Sequence, residues 1–148
     1  MDKVRTELTS AHEISARILH EFAWMVDHGR AGEAISLFAE DARMVFGEGS
    51  PKPGTISGAA EIRSFLESRA KQTEIVSRHV MSNIRAVAEG EGRIRVNAVL
   101  TLYRSARTTR PPEPLMIADV DDVHCQGSDQ VWRIVERTVS PVFVHPTE

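Results

Sequence analysis

The sequence predicts an α+β domain in which three N-terminal helices cover one face of a cone-like, curved antiparallel sheet. Three observations carry that prediction. Apolar residues recur at helical spacing in the first half of the chain, as in Ile14, Ile18 and Phe22. Beyond Ile75 the period shortens to two, and long runs are separated by turn-rich pieces at 89–92 (Glu-Gly-Glu-Gly) and 127–130 (Gly-Ser-Asp-Gln). No repeat, low-complexity tract or linker divides the 148 residues, so 1–148 reads as one domain, long enough for a single core to bury roughly 68–70% of the surface the unfolded chain exposes.

The first helix spans about 10–28, where Ile14, Ile18, Phe22, Met25 and Val26 form one apolar stripe and Gly29 closes the end. A shorter second helix over 32–40 carries Ala34, Ile35, Leu37 and Phe38, and 43–46 reads as a strand. Residues 47–54 hold three glycines and two prolines and form a loop. The third helix covers 59–72, with Gly58 as its N-cap, Glu61 in its first turn and Ile62, Phe65, Leu66 and Arg69 on one face. Four strands follow as an antiparallel meander over 75–88, 93–104, 115–125 and 131–140. In the second of these Ile94, Val96, Ala98, Leu100 and Leu102 alternate with Arg93, Arg95, Asn97 and Thr101, giving a buried and a wetter face. The connection 105–114 contains Pro111, Pro112 and Pro114 and belongs at the rim of the sheet.

Composition narrows the function. Hydrophobic residues at 41% and charged residues at 26% fit an ordinary globular domain and argue against disorder. A net charge of -3 gives no support to nucleic-acid binding, although Arg104, Arg107 and Arg110 gather near one loop. Cys125 is the only cysteine, so an intrachain disulfide and a Cys-based zinc site are excluded and a reducing, cytoplasmic setting is expected. The N-terminal residues lack the apolar core of a signal peptide, and no apolar run approaches the ~20 residues that span a bilayer.

Chemistry concentrates on two residues. His79 sits in the strand Ser77-Arg78-His79-Val80-Met81-Ser82-Asn83-Ile84, and an imidazole facing an enclosed space can give and take protons near neutrality. A strand histidine also serves as a hydrogen-bonded core or surface residue. Asp27 lies in the last turn of the first helix, where a carboxylate opposes the helix dipole unless a cation offsets it. If that helix crosses the mouth of the sheet, Asp27 can reach His79, fix its tautomer and stabilise the imidazolium. The alternative is a solvated helix-end carboxylate. Among the six histidines, His12-Glu13 and His20-Glu21 open like a zinc-peptidase motif, but Ala16 and Trp24 stand where the second histidine belongs, so no metal is assigned. Phosphate-loop, dinucleotide and nucleophile-elbow patterns are absent.

Taken in order, Val26-Asp27, Leu37-Phe38-Ala39-Glu40-Asp41-Ala42, Gly58-Ala59-Ala60-Glu61-Ile62, Arg78-His79-Val80-Met81-Ser82-Asn83 and Val131-Trp132-Arg133-Ile134-Val135-Glu136-Arg137 resemble the SnoaL-like branch of the nuclear transport factor 2-like superfamily. The resemblance implies a deep apolar cavity, a homo-oligomer (dimer or trimer) and, as in the scytalone dehydratase and dehydrochlorinase members, an Asp and His pair matching Asp27 and His79. His79 would then abstract a carbon-bound proton from a small hydrophobic, cyclic or aromatic substrate, which would lose water or halide or shift a double bond, with no cofactor. Trp24, Phe46, Phe65, Met81 and Tyr103 are the candidate pocket residues, each of them equally at home in a core. Arg137 or Asn83 are candidate donors to an oxyanion, with a surface or interface ion pair as the other reading of Arg137. The dehydratases also bring tyrosines, whereas Val26 precedes Asp27 here and Tyr103 is the only tyrosine. Ser82-Asn83-Ile84-Arg85, Leu102-Tyr103-Arg104, Asp121-Asp122-Val123 and Glu136-Arg137 are in turn similar to the noncatalytic β subunit of aromatic-ring-hydroxylating dioxygenases. A ligand-binding protein that has lost catalysis is the third reading.

Overall fold

The computed structural model describes residues 2–106 and 113–145, with side chains from Ser10 onward. Helix α1 (Asp2–Asp27) presents Ala11, Ser15, Ile18, Leu19, Ala23 and Val26 to the interior, a stripe at spacings of three and four. It ends in a glycine-dependent turn: Gly29 takes φ +77° and the Arg30 amide donates to the Met25 carbonyl at 2.8 Å. Helix α2 (Ala59–Lys71) starts at the N-cap Gly58, φ +87°, and the Glu61 carboxylate accepts a bond from the Ser57 amide at 2.9 Å. Its inward face buries Ile62 and Leu66 completely.

Between the helices the chain departs from the sequence reading. The expected second helix is a 3-10 helix over Ala31–Leu37, and strand β1 begins at Phe38 and runs to Phe46. Phe38 is claimed by the sheet because it pairs with Ile134, ahead of a register shift before Arg43. A short strand β2 (Gly54–Ser57), not anticipated, pairs antiparallel with Arg43–Phe46 as the edge of the sheet. Four long strands complete it: β3 (Ile75–Ala88), β4 (Arg93–Ala106), β5 (Pro114–Gln126) and β6 (Trp132–Val144).

The six strands lie in the order β2-β1-β6-β5-β4-β3. Pairing is antiparallel except between β1 and β6, which run parallel, so the sheet is mixed where an antiparallel one was expected. That contact is forced by topology: α2 and the three strands β3–β5 intervene before the chain returns beside β1. Of the expected rim connection, 107–112 lie outside the described residues, including Arg107, Arg110, Pro111 and Pro112, while Pro114 opens β5. No helix among the described residues is long and apolar enough to cross a membrane.

Strand β3 forms the other edge and changes phase within itself. Ser77, His79 and Met81 face the helices, whereas beyond Asn83 it is Ile84 and Ala86 that pack inward. The shift is a β-bulge between Ser82 and Arg85, with Asn83 at φ +52°. Asn83 is exposed, so it does not reach into the interior as an oxyanion donor. Because Asn tolerates this left-handed conformation and a β-branched residue does not, Asn83→Val should cost about 1–2 kcal/mol and Asn83→Gly well below about 1 kcal/mol in urea unfolding.

Candidate functional site

The C-terminal turn of α1 crosses the free edge of β3, and the Asp27 side chain fills the junction. One carboxylate oxygen, Oδ2, accepts the backbone N–H of His79 at 2.7 Å, satisfying a donor that an edge strand otherwise leaves to water. The other, Oδ1, lies 2.6 Å from His79 Nδ1 and accepts the Ser77 hydroxyl at 2.8 Å. An ionised carboxylate only accepts, so Nδ1 carries the proton and Nε2 is left as the basic nitrogen. No described residue hydrogen-bonds Nε2. The Asp27 side chain is 5% exposed and that of His79 17%, so the carboxylate is shut away while the ring keeps a path to the outside.

The surroundings stabilise this charge distribution. Burial pushes the Asp27 carboxyl up, but its hydrogen bond with His79, the imidazole's charge and the bonds from the His79 amide and Ser77 together hold it below the usual carboxylate range. Ser77, itself buried, accepts a bond from Arg69 of α2 at 2.9 Å. Arg78 donates to the Asp27 carbonyl at 3.3 Å and so places a cation at the negative end of α1.

A second imidazole–carboxylate pair, not anticipated from the sequence, lies deeper. Along β5 the inward alternation Met116, Ala118, Val120 continues into Asp122 and His124, which are 1% and 0% exposed. His124 Nε2 meets Asp122 Oδ2 at 2.8 Å, and Ser15 Oγ of α1 meets His124 Nδ1 at 3.0 Å. Arg137 of β6 grips both oxygens of Asp122 at 2.8 Å and lies 4.6 Å from the Phe22 ring centroid. Arg137 is therefore a buried ion-pair residue and not a surface or interface one. Its partner at the inward end of β5 could be read from the period-two run, and Ser15 from its place on the apolar stripe of α1.

The remaining candidates divide. Phe46 and Phe65 pack together, ring centroids 5.6 Å apart, and Met81 sits between two core clusters on the inner face. Trp24 lines no enclosed space: it is 60% exposed and stacks on His28, because it falls off the buried stripe of α1. Tyr103 pairs with Arg78 while Leu102 pairs with His79, which puts Tyr103 on the opposite face of the sheet from the imidazole. The described cavity, about 520 Å³, opens at another place, between the 49–51 loop and the ends of β4, β5 and β6, and none of these candidates lines it.

The family model described as a SnoaL-like domain matches residues 6–138. Among solved structures, a protein of scytalone dehydratase type from Novosphingobium aromaticivorans superposes with a TM-score of 0.79 at 18% identity, over 98% of this chain and 92% of that one. A nuclear transport factor 2-like protein with a cystatin-like fold from the same organism gives 0.75 at 14% identity, over 94% and 86% of the two chains. ActVI-ORFA from Streptomyces coelicolor gives 0.73 at 18% identity, over 87% and 95%. At these identities the structural likeness establishes the fold. No curated protein matches the sequence.

The buried network is the larger stability liability. Arg137→Met leaves Asp122 buried without its cation and should cost about 3–5 kcal/mol in urea unfolding, against about 1 kcal/mol for Ser15→Ala, which removes one neutral hydrogen bond. Burial raises the Asp122 carboxyl, while Arg137 and then His124 outweigh it and leave it lowered. Asp27 and Asp122, both lowered, bind fewer protons folded than unfolded; their stabilisation is complete above the unfolded value of about 3.9 and is lost as pH falls through the folded ones. This contribution to the thermal midpoint should be lost progressively below about pH 5, as circular dichroism melts would show.

Proposed function

The chain belongs to the SnoaL-like domain family, and from that membership and the Asp27–His79 geometry we propose that it is a lyase or isomerase acting by proton abstraction from carbon. The observation that carries this reading is the uncommitted Nε2 of His79, opposite a ring nitrogen fixed on a buried carboxylate. His79 Nε2 takes the proton, and Asp27, ionised beside it, stabilises the imidazolium; the imidazolium then delivers the proton to the departing oxygen or to a second carbon. The electron pair left on the substrate expels the leaving group or moves the double bond, so the step balances without an oxidant. A small hydrophobic, cyclic substrate would lie against Met81, which stands two residues from His79 on the same face of β3.

The reading carries a homo-oligomer with it. Val80, Thr101, Ile117 and Phe143 stand in one cross-strand row on the outer face, and Phe143 is 67% exposed.

The experiment is hydrogen exchange at carbon, which does not require the physiological leaving group. In deuterated buffer, with a panel of cyclic ketones and β-hydroxyketones followed by proton NMR, the wild type should exchange or eliminate at least one member. His79→Ala and Asp27→Asn should each slow that reaction by about 10²-fold or more while keeping the native circular dichroism spectrum. Undiminished rates in both variants would remove the dyad from the mechanism.

A further inference from the structure

The cavity of about 520 Å³ at the open end of the sheet has a composition that the dyad does not explain. Ile75, Leu115, Met116 and Val144 give it apolar walls, and three polar residues, Ser50, Arg104 and Ser105, line it as well. Ser50 is 7% exposed, and its hydroxyl finds no hydrogen-bond partner among the described residues. Its oxygen has almost no accessible surface, however, so it does not open onto the cavity.

Arg104 is the one charged residue among those that line the cavity. Its guanidinium donates to Gln72 Oε1 at 3.2 Å, and among the described residues it pairs with no carboxylate. Arg69 contacts the same residue, donating to the Gln72 carbonyl at 3.4 Å. Burial first, and the nearby charge of Arg104 second, lower the Arg69 pKa against the opposing pull of Asp27 and Glu74. Two part-buried cations thus converge on one glutamine beside an apolar hollow.

We infer that this cavity binds a small organic anion, a carboxylate or sulfonate whose oxygens are held by the Arg104 guanidinium, with its apolar body against Ile75, Leu115, Met116 and Val144. The volume lies within the range of on the order of 300–1,000 Å³ common to small-molecule sites. The site stands apart from the dyad: Ile75 and His79 share one face of β3 four residues apart, about 13 Å at strand spacing. Occupancy therefore requires no chemistry at His79.

Fluorescence titration with two dyes tests it: anilinonaphthalenesulfonate, an aromatic body bearing an anion, and phenylnaphthylamine, the same body without charge. The wild type should bind the sulfonate saturably at one site and about tenfold or more tighter than the neutral dye. Arg104→Gln should weaken the sulfonate by about tenfold or more, whereas Ser50→Ala, at a hydroxyl closed off from the cavity, should leave it unchanged, with the neutral dye unchanged in both. Ala106→Trp, at an exposed position on the cavity wall, should weaken both dyes. Asp27→Asn should change neither, so that a failed dyad and a failed anion site give different results. Equal affinity for the two dyes, a sulfonate affinity indifferent to Arg104→Gln, or binding that survives Ala106→Trp would overturn the inference.

Discussion

The Asp27 carboxylate is the point at which the two layers of the molecule are joined. α1 packs chiefly along β3, an edge strand whose outward N–H groups have no neighbouring strand to accept them. By ending at the edge, the helix lends β3 an acceptor, and one carboxylate closes three bonds: to a backbone amide, a hydroxyl and an imidazole. A carboxylate in this turn works against the helix dipole, and Arg78 on the carbonyl of the same residue offsets part of that cost. The residue best placed for proton chemistry is for this reason also a structural tie, so activity and unfolding have to be measured together at this position.

The two imidazole–carboxylate pairs show how surroundings assign roles to identical groups. His124 has both nitrogens engaged, one by Asp122 and the other by Ser15, and its side chain has no exposure. Nothing is left with which to take a proton from a substrate. Arg137 already compensates Asp122, so that pair reads as a neutralised brace between α1, β5 and β6. His79 has one nitrogen engaged and one uncommitted, with partial exposure. Commitment of the second ring nitrogen, more than burial of the carboxylate, separates the fully engaged histidine from the one with a nitrogen to spare.

Much of the architecture was legible because it rests on period. The stripe Ile14, Ile18, Phe22 and Val26, the capped start at Gly58 and the alternation from Ile94 to Leu102 each map onto an element, although α1 begins at Asp2, well ahead of the expected start at residue 10. The misreadings occur where period gives way to packing partners. Phe38 belongs equally to a helical and to a strand pattern, and pairing with Ile134 nearly a hundred residues away decides for the strand. The period-two run places Asp122 and His124 on the inward line, but only Arg137, supplied by a neighbouring strand, makes burial of the charge tolerable. Trp24 and Tyr103 carry the right chemistry for a pocket wall, but each lies on the wrong face, one by its position on the helix and the other by pairing with Arg78.

A hydroxyl stands between the cation and the anion at the site, and that placement has chemical consequences. Arg69 reaches Ser77 at 2.9 Å, and Ser77 in turn donates to Asp27 at 2.8 Å. A direct guanidinium–carboxylate pair would saturate Asp27, as Arg137 saturates Asp122, and leave little of its charge to stabilise an imidazolium. With Ser77 interposed, the positive charge orders the carboxylate through a neutral link and the strongest remaining partner of Asp27 is the ring of His79. Arg69 thereby stays at the Asp27 end of β3 through Ser77, whereas Arg104, bonded to Gln72, is the cation that lines the cavity.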